Sequence, residues 1–344
     1  MVFARCLPVR LAGFVLLALH VLTTNVGASD PKIVEAAKKE SGIVMAYAGM
    51  RIDTAQKIWD LFHAKYPFLT VKQYRADSDK MVERVLAEQR AGKYIVDVLN
   101  WSGFHTQVMI ERGIAGPYES PERQYCKPVF KDDKTFWTSI YYYPLTITYN
   151  TNLVPANERP KDWPDLLHPR WKGKIAIEAD QLTWYGGILK RFGEEKGKKF
   201  VQALANQVTR TESGARGSAM MAAGEFAIFI GRGHVAQMAR AKGAPVDWLR
   251  NPDPLVVQLA TIMLAKNAPN MNSAKLLIDF WLSEPIASLM AKHDRIPSRS
   301  GIEGVDPVYK EIDVDKILPL SVEELRVNYK KHLEEFRSYF GRDR

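Results

Sequence analysis

Two long extended runs, with a complete set of alternating strands and helices between them, constrain the fold of this chain most. The first run is Trp137–Asn150, rich in Tyr, Thr and Ile, and the second is Leu255–Leu264. Pro144 lies inside the first run. Because proline removes a donor from a strand ladder, this run is predicted to cross between two domains rather than to form an ordinary central strand. The pattern predicts that one domain is inserted into the other, with crossings near residues 145 and 257.

Short apolar runs alternate with amphipathic segments on both sides of the first crossing. The alternation predicts an α/β fold in which mainly parallel sheets are covered by helices. After the second crossing the chain is predicted to be helical, with a capping box at Ser321–Glu324 that opens a helix with an apolar packing stripe. The predicted strands are Ile43–Tyr47, Leu69–Tyr74, Val96–Leu99, Lys174–Glu178, Gln207–Glu212, Glu225–Ile230 and Val246–Leu249.

The first 28 residues have the three parts of a secretory signal peptide. Arg5 and Arg10 are basic, an apolar stretch runs from Leu11 to Leu22, and small residues end at Ala28. A spanning helix needs about 20 apolar residues, so cleavage near Ala28 is favoured over an uncleaved membrane anchor. We therefore expect a protein that works outside the cytoplasm. Its predicted parts are residues 1–28 as signal peptide, 29–144 plus 258–344 as a first lobe with a helical C-terminal part, and 145–257 as an inserted second lobe.

The composition is that of an ordinary globular chain with a basic excess. The formal net charge is +9, but Lys and Arg are scattered among Asp and Glu. This scatter favours a basic surface over nucleic-acid binding. Cys126 is the one cysteine left after removal of the signal peptide, so the fold must rest on its apolar core rather than on a disulfide. The histidines show no metal-ligand spacing, and no cofactor is predicted.

One glycine pattern resembles a nucleotide site. Gly231–Ala236 matches G-x-G-x-x-A between an apolar strand and a helix, which is the outline of a dinucleotide fingerprint. Its place in the middle of an exported chain disfavours a nicotinamide enzyme, which stays as an alternative that nucleotide binding would test. In either case a close backbone, a helix N-terminus and Arg232 would form a good anion site.

Aromatic and arginine side chains gather where the predicted strands end. Ligands of open α/β sheets bind beyond the carboxyl ends of strands, so an aromatic-lined cleft between the domains is expected. A desolvated arginine there would hold a carboxylate or phosphate with two parallel hydrogen bonds. The candidate ligand-binding residues are Tyr47, Arg51, Trp101, Ser102, Tyr143, Trp184, Tyr185, Ser213, Gly214, Arg216, Arg232 and His234.

The stretch Pro160–Ile175 resembles a signature of the periplasmic solute-binding proteins related to the ferric-iron binders of ABC importers. Gly224-Glu225 and Ile296–Arg299 fit the same pattern, and the resemblance covers about residues 40–300. It implies a two-lobe periplasmic-binding-protein fold, each lobe a mainly parallel sheet covered by helices, with two hinge crossings and a cleft between the lobes. It also implies a monomer that delivers a solute to a permease in the inner membrane, without catalysis or a cofactor.

The expected ligand departs from that of the ferric binders. Those proteins place two adjacent tyrosines shortly after the Gly-Glu pair, where this chain has Phe226–His234 with Arg232 inside it. An arginine would repel a bare trivalent cation. The solute is therefore predicted to be a small anion, either an organic carboxylate, a phosphate compound or an anionic metal chelate.

Two alternatives to this prediction stay open. One is direct ferric binding, with Tyr141, Tyr142, Tyr143 and Tyr185 as candidate phenolate ligands. The other is a binder whose loaded form is read by a receptor rather than by a permease.

Overall fold

The computed structural model describes residues 29–76 and 78–341, so the predicted signal peptide lies outside the described residues. The strands are β1 (Ile43–Ala48), β2 (Thr70–Tyr74), β3 (Val98–Ser102), β4 (Ala115–Gly116), β5 (Thr138–Asn150), β6 (Ile175–Glu178), β7 (Val208–Glu212), β8 (Ile228–Arg232), β9 (Val246–Trp248), β10 (Val256–Ala265) and β11 (Ile296–Pro297). The helices are α1 (Pro31–Ala37), α2 (Ile52–Lys65), α3 (Ser78–Arg90), α4 (Phe104–Glu111), α5 (Leu182–Phe192), α6 (Glu194–Ala205), α7 (Gly214–Ala223), α8 (Gly233–Ala241), α9 (Met271–Leu282), α10 (Glu284–Lys292), α11 (Val322–Val327) and α12 (Tyr329–Phe340). Each predicted strand is confirmed, with boundaries shifted by a few residues at most.

The strands form one continuous sheet that serves two lobes. Its order is β2-β1-β3-β10-β5-β8-β6-β7. Strands β2, β1 and β3 are parallel to one another in lobe 1, and β8, β6 and β7 are parallel to one another in lobe 2. The antiparallel strands β10 and β5 lie between these two groups. The prediction of a mainly parallel set of strands in each lobe, with two hinge crossings, is therefore confirmed, and the hinge strands join the two sets into one sheet.

The two crossings are hydrogen-bonded to each other. Leu145 is opposite Val256 and Pro144 is opposite Val257, at the positions where the crossings were predicted. The expectation that proline keeps β5 away from the sheet centre is wrong, because β5 is a central strand. Proline is tolerated there because β5 changes partners on its other edge, from β11 at Tyr142 to β8 at Leu145.

The core of lobe 1 lies where α2 and α9 pack against the sheet. Ile58, Trp59 and Phe62 recur at helical spacing in α2 and are buried, as the sequence predicts. The Trp59 and Trp281 rings meet edge to face with centroids 4.8 Å apart. Burying each large apolar side chain contributes on the order of 1.5–3 kcal/mol, so this layer is a main source of stability.

The core of lobe 2 includes the last helix of the described chain. Phe336 and Phe340 of α12 are buried in one cluster with Trp163 and Trp184. The prediction placed residues 258–344 with the first lobe, whereas α12 packs on α5 and α6 of the inserted segment. The lobe boundaries stay a prediction, but this contact attaches the C-terminal helix to lobe 2.

The predicted C-terminal helix is two helices. The Ser321 hydroxyl accepts from the Glu324 amide at 3.0 Å, and the Glu324 carboxylate accepts from the Ser321 amide at 2.8 Å, so the capping box is confirmed. The helix that it opens, α11, ends before Asn328, and α12 follows at once. None of the helices in the described ranges has the length and apolar character that a membrane crossing demands.

Candidate functional site

A cavity of about 400 Å³ lies between the lobes, beside the hinge strands β5 and β10. Cavities of this size hold small ligands. Its walls come from both lobes and from both hinge strands. A molecule bound inside would therefore contact both lobes and the hinge between them. We call it the main chamber. It is lined by Gly49, Met50, Arg75, Ala76, Asn100, Trp101, Ser102, Tyr141, Tyr143, Arg232, His234, Gln258, Ala260 and Arg295.

The alternation of β5 decides which of its three consecutive tyrosines reach the chamber. Successive side chains of a strand point to opposite faces. Tyr141 and Tyr143 line the chamber, whereas Tyr142 is buried on the other face and stacks on Phe130 with ring centroids 4.7 Å apart. Burial raises the pKa of Tyr143 to about 12, so its hydroxyl stays protonated at neutral pH.

Two guanidinium groups lie over these tyrosines. The Arg232 guanidinium is 5.4 Å from the Tyr143 ring centre, and the Arg295 guanidinium is 5.6 Å from the Tyr141 ring centre. Arg75 adds a third positive charge from the end of β2. In the part of the chain that the structure describes, no Asp or Glu lines this chamber. The chamber therefore has a net positive lining.

Glu178 holds Arg232 from behind. This carboxylate ends β6, is 3% exposed, and lies 2.6 Å from the Arg232 Nη2 atom. Burial raises the pKa of Glu178, and the neighbouring Arg232 charge opposes that rise. The Arg232 side chain remains 39% exposed. The pair thus fixes the direction of the arginine while leaving part of it open to a ligand.

His234 is a neutral, buried member of the chamber wall. Its ring packs on Tyr143 with centroids 4.9 Å apart. Burial, together with the charges of Arg295 and Arg232, lowers the pKa of His234 to about 3. The imidazole is therefore uncharged at neutral pH and can donate or accept one hydrogen bond.

The glycine pattern after β8 has a packing explanation. A Cβ on Gly231 would lie 2.6 Å from the Phe229 ring, and one on Gly233 would lie 2.7 Å from the Trp248 ring. Such distances are too short for real carbon atoms, so both positions need glycine for packing alone. The resemblance to a dinucleotide fingerprint is accounted for without a nucleotide.

Five of the twelve predicted ligand-binding residues come together in the main chamber, and three lie in cores instead. Tyr47 is fully buried and donates to Glu88 at 2.7 Å. Trp184 is fully buried against Trp163, and Tyr185 donates to Glu335 at 2.8 Å. Their positions near strand ends suggested a cleft, but their rings complete the packing of the lobes. The five in the chamber are Trp101, Ser102, Tyr143, Arg232 and His234.

The other four predicted residues lie outside the chamber. Arg51 is exposed and bonds Asp53 at 3.1 and 2.8 Å. Arg216 is 71% exposed and lies 3.3 Å from Glu212. Ser213 is exposed at the start of α7. Gly214 touches the site indirectly, since a Cβ there would lie 2.4 Å from the Glu178 carboxylate.

Sequence reasoning missed several polar residues of the chamber, among them Arg75, Asn100, Gln258 and Arg295. Arg75 follows β2, Gln258 lies in β10, and Arg295 directly precedes β11. Arg75 directly follows a predicted strand, so the rule used for Arg232 could have selected it, whereas Arg295 precedes β11 and does not fit that rule. Gln258 had no such signal, because its place depends on how β10 pairs with β5.

The tyrosines proposed for ferric iron come together only in part. Tyr141 and Tyr143 line the chamber, whereas Tyr142 and Tyr185 do not. Within residues 29–76 and 78–341, no group of three His, Cys, Asp or Glu side chains is arranged to hold a metal ion. The chemistry that the chamber offers is recognition of negative charge and of hydrogen-bonding groups.

Comparison with known sequences finds one family and one curated relative. The family described as bacterial extracellular solute-binding protein matches residues 103–317. An uncharacterised protein of Haemophilus influenzae is 29% identical over 187 residues, which are 51% of this chain and 54% of that protein. The chain thus spans about half the length of this relative.

Comparison with solved structures finds the same architecture. Trichodesmium FutA with iron and citrate has a TM-score of 0.75 at 19% identity, covering 87% of this chain and 99% of that chain. The ferric binding protein of Campylobacter jejuni has a TM-score of 0.75 at 16% identity, covering 86% and 99%. AfuA of Actinobacillus pleuropneumoniae with fructose-6-phosphate has a TM-score of 0.71 at 21% identity, covering 88% and 99%. At these identities the likeness shows the fold.

Proposed function

The chain belongs to the bacterial extracellular solute-binding proteins, and we propose that its solute is a small organic anion held in the main chamber. The solute class is a carboxylate, a phosphate compound or an anionic metal chelate. The observation that carries this proposal is the charge of the lining, in which Arg75, Arg232 and Arg295 contribute positive charge.

Capture would use contacts from both lobes at once. Arg232 and His234 come from lobe 2, Trp101 and Ser102 come from β3 of lobe 1, and Arg295 precedes β11 at the hinge. Arginine pairs with carboxylate or phosphate through two parallel hydrogen bonds, and each charge pair 4 Å apart gains about 4 kcal/mol at an effective dielectric constant of 20. A solute between the lobes would thus stabilise the closed arrangement.

We propose that the protein works in the periplasm after signal-peptide cleavage near Ala28, and presents its solute to an ABC permease. Solutes bound by relatives support an anion rather than one particular compound, since FutA is described with iron and citrate and AfuA with fructose-6-phosphate. No residue of the chamber is assigned a catalytic role, because binding and release suffice for this function.

Native mass spectrometry of the protein from Ser29 onward, purified without denaturation, tests the proposal. The expected result is a bound mass that denaturation releases as an organic acid, a phosphate ester or a chelate. If the purified protein carries no bound ligand, it is titrated with citrate and inorganic phosphate by isothermal titration calorimetry. Release of a cationic or uncharged solute, or no binding of any anion, would contradict the proposal.

Ferric citrate titration separates direct metal binding from anion binding. Tyrosinate coordination to ferric iron produces a visible charge-transfer band. We expect no such band, because the guanidinium groups of Arg232 and Arg295 lie over the two tyrosines that line the chamber. A strong band that Tyr143→Phe abolishes would favour the ferric alternative.

A further inference from the structure

A second chamber of about 210 Å³ opens beside the main one. Ser102, Arg232 and Gln258 line both chambers, so the two chambers are adjacent at these three residues. The Arg232–Glu178 ion pair stands at the boundary, with Arg232 in both linings and Glu178 in the second alone. A molecule whose charged end meets Arg232 in the main chamber could therefore extend past this pair.

The C-terminal helices close the far side of the second chamber. Leu325 of α11 and Tyr329 and His332 of α12 line it. The wall is firmly attached to lobe 2, since Arg337 bonds Asp180 at 3.0 and 2.8 Å. A matching contact joins α11 to lobe 1, where Arg326 lies 3.3 Å from Glu111 of α4. The wall of the second chamber is therefore held in place by contacts to both lobes.

The acidic groups of the second chamber are already compensated. Glu178 is paired with Arg232, and Asp180 is paired with Arg337. Burial lowers the pKa of His332, so this ring is neutral at neutral pH. Because both carboxylates are already paired with arginines, the second chamber has no unpaired negative charge from Glu178 or Asp180 that would favour a bound cation.

The remaining polar lining includes four uncharged hydroxyl and amide side chains. Ser102 and Thr183 offer hydroxyls, and Gln181 and Gln258 offer amides. Hydroxyl and amide groups donate and accept, so they match a ligand that also does both. The main chamber with its arginines and the second chamber with its neutral groups differ sharply in the chemistry that they recognise.

We propose that the solute has two parts: an anionic group bound by the arginines of the main chamber, and an uncharged, hydroxyl-bearing body that enters the second chamber and contacts α12. This inference rests on the proposed function and narrows it. A bare carboxylate or phosphate would leave the second compartment to water. The C-terminal helix then sets the length of solute that the protein accepts.

Paired probes test the inference by isothermal titration calorimetry on the protein from Ser29 onward. Each compact anion is matched with a hydroxylated extension of it: inorganic phosphate with glucose 6-phosphate, and acetate with gluconate. In at least one pair the extended anion is expected to bind about tenfold or more tightly than the compact one. The ratio of the two affinities measures how much the contacts in the second chamber contribute to binding.

Blocking variants assign that excess to the second chamber. Thr183→Phe puts a ring into the compartment, and Thr183→Val is its matched control, which removes the hydroxyl at nearly constant volume. Ala179→Leu, at an exposed position in the same lining, is a second block if the first variant fails to fold. Each block is expected to reduce the affinity ratio of extended to compact anion about tenfold, and Thr183→Val by less than about threefold.

The outcomes separate the two proposals. Equal binding of both members of each pair, or a ratio that folded blocking variants leave unchanged, overturns the second-chamber inference and leaves the anion site standing. Binding of none of the four probes contradicts the anionic solute itself, and the inference falls with it. A ratio that falls about tenfold in the blocking variants, and by less than about threefold in Thr183→Val, supports the inference.

Discussion

The junctions β7–α7 and β8–α8 of lobe 2 look alike in sequence and differ in role. Each ends a strand, contains glycine, and carries an arginine near the start of a helix, Arg216 in the first and Arg232 in the second. Arg216 is 71% exposed and paired with its neighbour Glu212, whereas Arg232 is paired with buried Glu178 and lines the main chamber. The difference comes from the order of strands, because β7 is at the sheet edge and β8 lies next to the hinge strand β5.

In lobe 2, the strand-end junction that lines the main chamber is the one beside the hinge. In lobe 1, β3 pairs with the hinge strand β10 and brings Trp101 and Ser102 to the chamber, and Arg75 reaches it from the end of the edge strand β2. Strand order is a long-range property, and the local sequence of the two junctions does not contain it.

The largest expected effect separates the two arginines directly. Arg232→Ala should weaken binding of the released solute, or of citrate, by about 2–5 kcal/mol, because it leaves Glu178 and the ligand without their shared partner. Arg216→Ala is the matched control and should change binding by less than about 0.5 kcal/mol. Calorimetry measures both. Equal losses in the two variants would remove the distinction between the junctions.

The glycines of the two junctions meet different neighbours, so replacing each by alanine should change different properties. Gly233→Ala places a Cβ against the Trp248 ring and should lower the free energy of unfolding by about 1–3 kcal/mol. Gly214→Ala meets the Glu178 carboxylate instead, so we expect its main effect on ligand affinity through Arg232. Urea unfolding and calorimetry separate these effects, and the reverse assignment would contradict the packing described.

A pH effect should be confined to the β8 junction. The pKa of His234 is lowered to about 3 in the folded protein, so between pH 6.5 and 3 the unfolded chain binds a proton that the folded chain excludes. Stability is therefore lost as the pH falls through this window, by up to about 1.4 kcal/mol per pH unit. Urea unfolding of His234→Gln should lack this part of the acid loss. Identical pH profiles for both proteins would contradict a neutral, buried imidazole.

The smallest effect concerns an aromatic residue selected by the same strand-end rule. Tyr185→Phe removes the hydrogen bond to Glu335 and should lower the free energy of unfolding by about 1 kcal/mol. Ligand affinity should stay unchanged, because Tyr185 packs against α12 outside the main chamber. A thermal melt and a titration measure the two quantities. Loss of ligand affinity without loss of stability would indicate that Tyr185 contacts the ligand and would contradict its assignment to the core.

Local patterns were enough to predict the elements and the crossings. The β-rich runs around Pro144 and Val257 mark the hinge, and the capping box at Ser321 marks the start of α11, since both signals lie within a few residues of the feature that they predict. The chamber residues were harder, because Tyr47 and Trp184 follow the same local rule as Trp101. Whether one of these rings lines the chamber or packs inside a core depends on helices from distant parts of the sequence.

The same limit explains the C-terminal helix. The apolar stripe of Phe336 and Phe340 predicted packing correctly, but its partner is α5, far earlier in the sequence. Periodicity identifies a buried face and is silent about which surface covers it. Arg295 was missed for a related reason, because it reaches the chamber through the pairing of β11 with β5.

The order in which the chain is synthesised gives the packing of its last helix a further meaning. Lobe 1 cannot close its sheet until β10 and α9 exist, and lobe 2 lacks Phe336 and Phe340 until the final helix has been made. Each core is therefore completed by segments that lie late in the sequence, β10 and α9 for lobe 1 and α12 for lobe 2. The folding of each lobe thus depends on residues from both sides of the hinge crossings, so the two lobes are coupled in folding as well as in binding.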